Sequence, residues 1–104
     1  MDKTLISQVI EVPTPLGGMA RTLVDQPDLR VVVLRVPAGT GVAEHSAPVE
    51  VVFLALSGYG AIHAGSMEAS IMAGEMLSCP AGIIRTISAN EVDLELLVIR
   101  APNL

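Results

Sequence analysis

Residues 39–58 read GTGVAEHSAPVEVVFLALSG. Glycines open and close the stretch, Pro48 interrupts it, and a run of β-branched and other apolar residues follows. Side chains alternate across a strand, so Val51, Phe53 and Ala55 face one way and Val52, Leu54 and Leu56 the other. Both faces are apolar. One suits the interior of a barrel, and the other needs cover from a second sheet, an arm or a partner subunit. The run RVVVLR at residues 30–35 reads the same way.

Further out, the apolar runs stay short: SQVIEV, YGAIHA, EASIMA, EMLSC, GIIRTI and DLELLVIR. Turn signals separate them, among them PTPLGG, DQPD, SGYG, AGE and CPAG. No window carries a helical period. Many short strands at this spacing predict an all-β sandwich or closed barrel. Residues 1–20 are expected to form an N-terminal arm.

The chain has 104 residues, a length that predicts one domain over residues 1–104. Size scaling gives roughly 5,500 Å² of folded surface against roughly 15,700 Å² unfolded. Charged residues are 16% and hydrophobic residues 51%, against about a quarter charged in an average domain. This excludes a disordered chain. A net charge of −5, no basic run, one Tyr, one Phe and no Trp argue against nucleic-acid binding. The charge-free stretch from Val51 to Met67 is too broken by Gly, Ser and His for a bilayer helix. No secretory signal is visible, and the single Cys79 fits a reducing cytosol. So few charges predict that part of the surface is covered in a homodimer.

In two stretches the chain resembles a small single-domain cupin of the RmlC-like, cupin-2 type. The family's first motif runs G-xxxxx-H-x-H-xxx-E-xxxxxx-G. Gly39, His45 and Gly58 fall in that frame with every spacing kept. The second motif runs G-xxxxx-P-x-G-xx-H-xxx-N, and Gly74, Pro80 and Gly82 fall in frame within GEMLSCPAGIIRTISAN, residues 74–90. The resemblance spans roughly half the chain. It implies a cupin-type double-stranded β-helix, a jelly-roll barrel of about 8–10 short strands. Glycine at the strand reversals allows positive φ, and Pro80 suits a turn.

The resemblance also locates the family's divalent-metal ligands, and there the chain departs. The first His position is His45. The second is Ala47, the Glu position is Val51, and the last His position is Arg85. Ala and Val cannot ligate, and Arg is a fixed cation that repels a metal ion. No tightly bound metal and no other cofactor is therefore expected. A divalent metal, were one held, would draw on His45, Glu50 and His63. Glu50, one residue off the Glu position, should point away from the face of Val51 unless a bulge intervenes.

What remains is a polar pair, His45 and Arg85, in an apolar mouth with Phe53 and Cys79. Arg85 needs a counter-charge if buried: a small carboxylate or phosphate ligand, or an internal carboxylate such as Glu50 or Glu44. His45, the candidate catalytic residue, could serve as a general base beside a carboxylate anchored by Arg85, an isomerase or lyase arrangement. Tyr59 sits in a turn and is no obvious acid partner. Three readings follow: a small-molecule-binding cupin, such an enzyme, and a barrel filled by its own side chains. An open cavity beside His45 separates the first two from the third.

Overall fold

The computed structural model describes all residues, 1–104. A short 3-10 turn at Ile6–Gln8 is followed by ten strands. These are β1 Val12–Pro13, β2 Met19–Gln26, β3 Leu29–Val36, β4 Gly41–His45, β5 Val51–Ser57, β6 Tyr59–Ala64, β7 Met67–Met72, β8 Met76–Cys79, β9 Arg85–Ala89 and β10 Leu94–Arg100. They form two antiparallel sheets, ordered β1-β2-β3-β10-β5-β8 and β4-β9-β6-β7. The fold is the all-β double-stranded β-helix that the two motifs imply.

Burial along β5 decides which face is inside. Val51, Phe53 and Ala55 are buried, Val52 and Leu54 are half-buried, and Leu56 is exposed. Antiparallel pairing carries this alternation across the six-stranded sheet in rows. One inner row is Val32–Val98–Phe53–Leu77. Deeper rows add Leu34, Leu96 and Ala55, then Val36 and Leu94. The opposite sheet contributes Val42, Ile62, Ile71, Ile87 and Ala89 to the same cluster. Leu94, Leu96 and Val36 are fully buried, so this end of the barrel is closed by aliphatic packing.

The frame glycines behave as turn residues. Gly39, Gly58, Gly74 and Gly82 all have positive φ. Only at Gly58 is the backbone also in the way: a Cβ there would overlap the carbonyl oxygen of Asp93. The other three face open space.

The N-terminal arm is shorter than the expected residues 1–20. Val12 and Pro13 already pair with Ala20 and Met19, so the sheet begins at Val12. The SQVIEV run, read as a strand, forms the 3-10 turn and an extended segment instead. Two arginines hold it. Arg21 Nη1 donates to the carbonyls of Ile6, Ser7 and Val9 at 3.2, 3.2 and 2.8 Å. Arg35 donates to both Glu11 oxygens, from Nη2 at 2.7 Å and Nε at 3.0 Å. The hydrogen bond from Arg35, and then its charge, hold the Glu11 carboxyl below its ordinary pKa. Val33 faces outward yet is only 2% exposed, and its partner on β2 is the arm-holding Arg21.

Strands β2 and β4 carry no clean apolar alternation in the sequence. In β2, Arg21, Thr22, Asp25 and Gln26 dilute the apolar pattern, and flanking PTPLGG and DQPD read as loops. In β4, a shift in pairing between Val42 and His45 breaks strict alternation.

Candidate functional site

The open end of the barrel is polar. The last inner row of the six-stranded sheet reads Asp25–Arg30–Arg100–Val51–Cys79, each residue beside the next on neighbouring strands. The facing sheet brings His45 and Arg85, paired across β4 and β9. Between the sheets lies a cavity of about 180 Å³. Its wall includes Arg30, Arg85, Arg100 and His45 over an apolar floor of Val32, Leu34, Val51, Phe53 and Val98. No Asp or Glu lines it.

Arg85 is the central group. It is 4% exposed, the one buried charged residue of the chain. Its guanidinium carbon lies 5.3 Å from the centre of the Phe53 ring, a cation–π contact. Nη1 donates to the Cys79 Sγ at 3.8 Å and to the Ile83 carbonyl at 3.4 Å, both long. Nε is buried with no acceptor. No carboxylate reaches Arg85 or Arg100 within 4.0 Å. The internal partners weighed for Arg85, Glu44 and Glu50, are absent from the cavity wall.

His45 carries a defined tautomer. Its Nδ1 lies 2.8 Å from the Ala43 carbonyl. A carbonyl only accepts, so Nδ1 holds the proton and neutral His45 keeps a bare Nε2 lone pair. Burial first, and the Arg85 charge after it, lower the His45 pKa against the opposing pull of the Ala43 carbonyl.

The rim belongs to Arg30 and Arg100. Arg30 meets Asp25 at 3.4 Å, an exposed pair. Arg100 finds only the side-chain oxygen of Asn103 at 3.5 Å, while Asn103 Nδ2 donates to Asp25 at 2.8 Å. Burial, then the cations Arg30 and Arg85, lower the Arg100 pKa. Arg30 opens the run RVVVLRV and Arg100 closes the run LELLVIR. What the sequence does not show is that β3 and β10, more than fifty residues apart, pair so that the two coincide.

Two expectations need correction. Cys79 is not part of the cavity wall: Arg85 lies across it, and its other side borders a separate apolar recess of about 290 Å³ with Met67, Leu77 and Ile83. The alternative metal set does not converge either. His63 pairs with Thr86 on the outer face, with Nε2 3.2 Å from the Ser88 Oγ and Nδ1 3.9 Å from Glu68. Glu50 is exposed, with no bulge turning it inward. No three His, Cys, Asp or Glu side chains come together as a metal site. The family's own ligand positions do not suit the metal: Ala47 and Val51 are buried in the apolar core and a guanidinium stands at the third. Tyr59 donates to Glu91 at 2.7 Å outside the barrel.

The two facing antiparallel sheets form a double-stranded β-helix, the fold shared by solved cupin-2 and RmlC-like cupin proteins. A conserved protein of unknown function from Streptococcus pyogenes is 28% identical, with TM-score 0.73 over 89% of this chain and 82% of that one. A double-stranded β-helix protein from Klebsiella pneumoniae is similar at TM-score 0.83 and 16% identity, over 98% and 90%. An RmlC-like cupin from Shewanella frigidimarina matches at TM-score 0.84 and 14% identity, over 95% and 88%. No protein-family model and no curated protein matches the chain. No helix is long and apolar enough to cross a membrane.

Proposed function

We propose that the chain binds a small anionic molecule in the barrel mouth without a tightly held metal. The observation that carries this is one of charge. Three of the six Lys and Arg residues, in a protein of net charge −5, line one cavity with no acid in its wall. An unpaired buried cation is costly, and an anion supplies what the fold does not. At about 180 Å³ the cavity is below the drug-sized range and suits a small acid. Thermal unfolding with small carboxylates or phosphate at fixed ionic strength tests it. At a hundredfold excess over Kd the gain is about 2.7 kcal/mol, which is roughly 10–20 °C in Tm for a domain of this size. No saturable shift with any of these anions overturns the reading. Near-stoichiometric Fe, Mn, Ni or Zn in purified protein, lost in His45→Ala, overturns the metal-free part.

A second reading, proton transfer in an isomerase or lyase reaction, is favoured by the His45 tautomer. Its free Nε2 is a base in the same cavity as the carboxylate anchor Arg85.

Self-association belongs to the same proposal. The outward rows Leu97–Leu54–Met76 and Val31–Ile99–Val52 are apolar, and Met76 is 63% exposed. The surface is 6175 Å², above the roughly 5,500 Å² that size scaling gives a monomer. A second copy of the chain on this face would restore the balance. A cytosolic setting fits the free, buried thiol of Cys79.

A further inference from the structure

We propose that the ligand is a dianion with two separate charged ends, a short dicarboxylate on an apolar carbon skeleton, and that Arg30 and Arg100 form its second anchor. This rests on the anion-binding reading and goes beyond it by dividing the mouth into two anion positions.

The division follows from the rows. Arg85 lies on the β9 sheet, over the ring of Phe53 and beside His45. Arg30 and Arg100 lie on the facing sheet, one row further out than Phe53 and Val98. Rows on one face are two residues apart, roughly 6.8 Å along the strand. The row just inside Arg30 and Arg100 is apolar, formed by Val32, Val98 and Phe53, and the Phe53 ring carries the Arg85 guanidinium. Charged ends with an apolar middle are the complement of that wall.

The Arg30–Arg100 pair points to a ligand independently of Arg85. Like charges directly opposite on neighbouring strands destabilise a sheet. Here nothing in the fold offsets the pair fully. Asp25 reaches Arg30 but not Arg100, and Arg100 has only a long contact to a neutral amide oxygen. Arginine forks bind carboxylates through paired hydrogen bonds, and two forks side by side hold one carboxylate firmly. With Asp25 answering one of the three cations, two remain, which matches a charge of −2. Taking about 30 Å³ per water as an upper bound for each heavy atom, the volume admits roughly six to ten non-hydrogen atoms. Three- to five-carbon dicarboxylic acids fall in that range.

The test is isothermal titration of the intact protein at fixed ionic strength and pH 7.5. The probes are malonate, succinate and glutarate, the matching monocarboxylates propionate, butyrate and valerate, and inorganic phosphate. At least one dicarboxylate is expected to bind ten-fold or more tighter than its monocarboxylate. Arg100→Gln should erase that advantage while leaving monocarboxylate affinity within about three-fold. Arg30→Gln provides the same readout if the first variant fails to fold. Arg85→Gln should weaken both series. Equal binding of mono- and dicarboxylates, unchanged in Arg100→Gln and Arg30→Gln, overturns the second anchor and leaves the anion reading intact. Phosphate binding tighter than every dicarboxylate also overturns it, because the charges are then held at one point. No binding of any probe overturns both.

Discussion

His45 stands directly across the β4–β9 ladder from Arg85, and both line one cavity. A neutral imidazole beside a permanent cation has a consequence for stability. Burial and Arg85 depress the folded-state pKa of His45 below its ordinary 6.5. The unfolded chain then binds the proton more readily, and stability rises with pH across that interval. Stability from His45 is complete above about pH 6.5 and is lost as pH falls through the lower folded value. Glu11, depressed below 4.5 by Arg35, adds a second loss at more acid pH. Urea unfolding midpoints from pH 3 to 8 should show two falls. His45→Gln should remove the upper one and Glu11→Gln the lower. A single fall below pH 4.5 in the wild-type protein would refute the His45 assignment.

Replacing Arg85 separates binding from folding. Its Nε is unsatisfied and its charge unpaired, so Arg85→Met keeps the stem over Phe53 and removes the burden. The variant should be as stable as wild type or more so, by about 1 kcal/mol or more. It should also lose the anion-induced rise in Tm. Arg85→Ala, which opens space beside Phe53, should be less stable than Arg85→Met. A loss above about 2 kcal/mol in Arg85→Met would make the arginine a structural member of the core.

The four frame glycines share positive φ but not surroundings. Gly39→Ala should cost about 1–2 kcal/mol, the left-handed backbone alone. Gly58→Ala adds an overlap with the Asp93 carbonyl and should cost about 3 kcal/mol or more. Equal losses, measured by denaturant unfolding, would show that the Asp93 loop yields freely.

Sedimentation at micromolar concentration should give about twice the chain mass of 10.8 kDa. Leu97→Lys with Ile99→Lys, two outward residues of β10, should return a monomer that still responds to anions. A wild-type monomer would refute the dimer.

The fold was largely legible, because glycine and proline spacing survives where chemistry does not. Gly39, Gly58, Gly74, Pro80 and Gly82 set reversals, and strand alternation located Val51, Phe53 and Ala55 inside. His45, Phe53 and Arg85 were also legible as cavity residues, since the frame places them by register. Arg30 and Arg100 were not. One opens an apolar run and the other closes one, and only the long-range pairing of β3 with β10 makes them neighbours. Cys79 was placed wrongly because a sequence gives the face of a strand, not which side chain lies across it. The arm was overextended because Val12 and Pro13 make a strand too short to carry a pattern.

The cationic mouth sits on an acidic body. With its three arginines set aside, the net charge of −5 becomes −8. An approaching anion therefore meets repulsion at range and attraction only within about a Debye length of the opening, about 10 Å at 0.1 M salt. Added salt screens the distant repulsion more completely than the short contacts inside. Anion capture should thus quicken as ionic strength rises from very low values, even while the bound complex weakens, so that the charge of the body would act as a kinetic gate on the mouth.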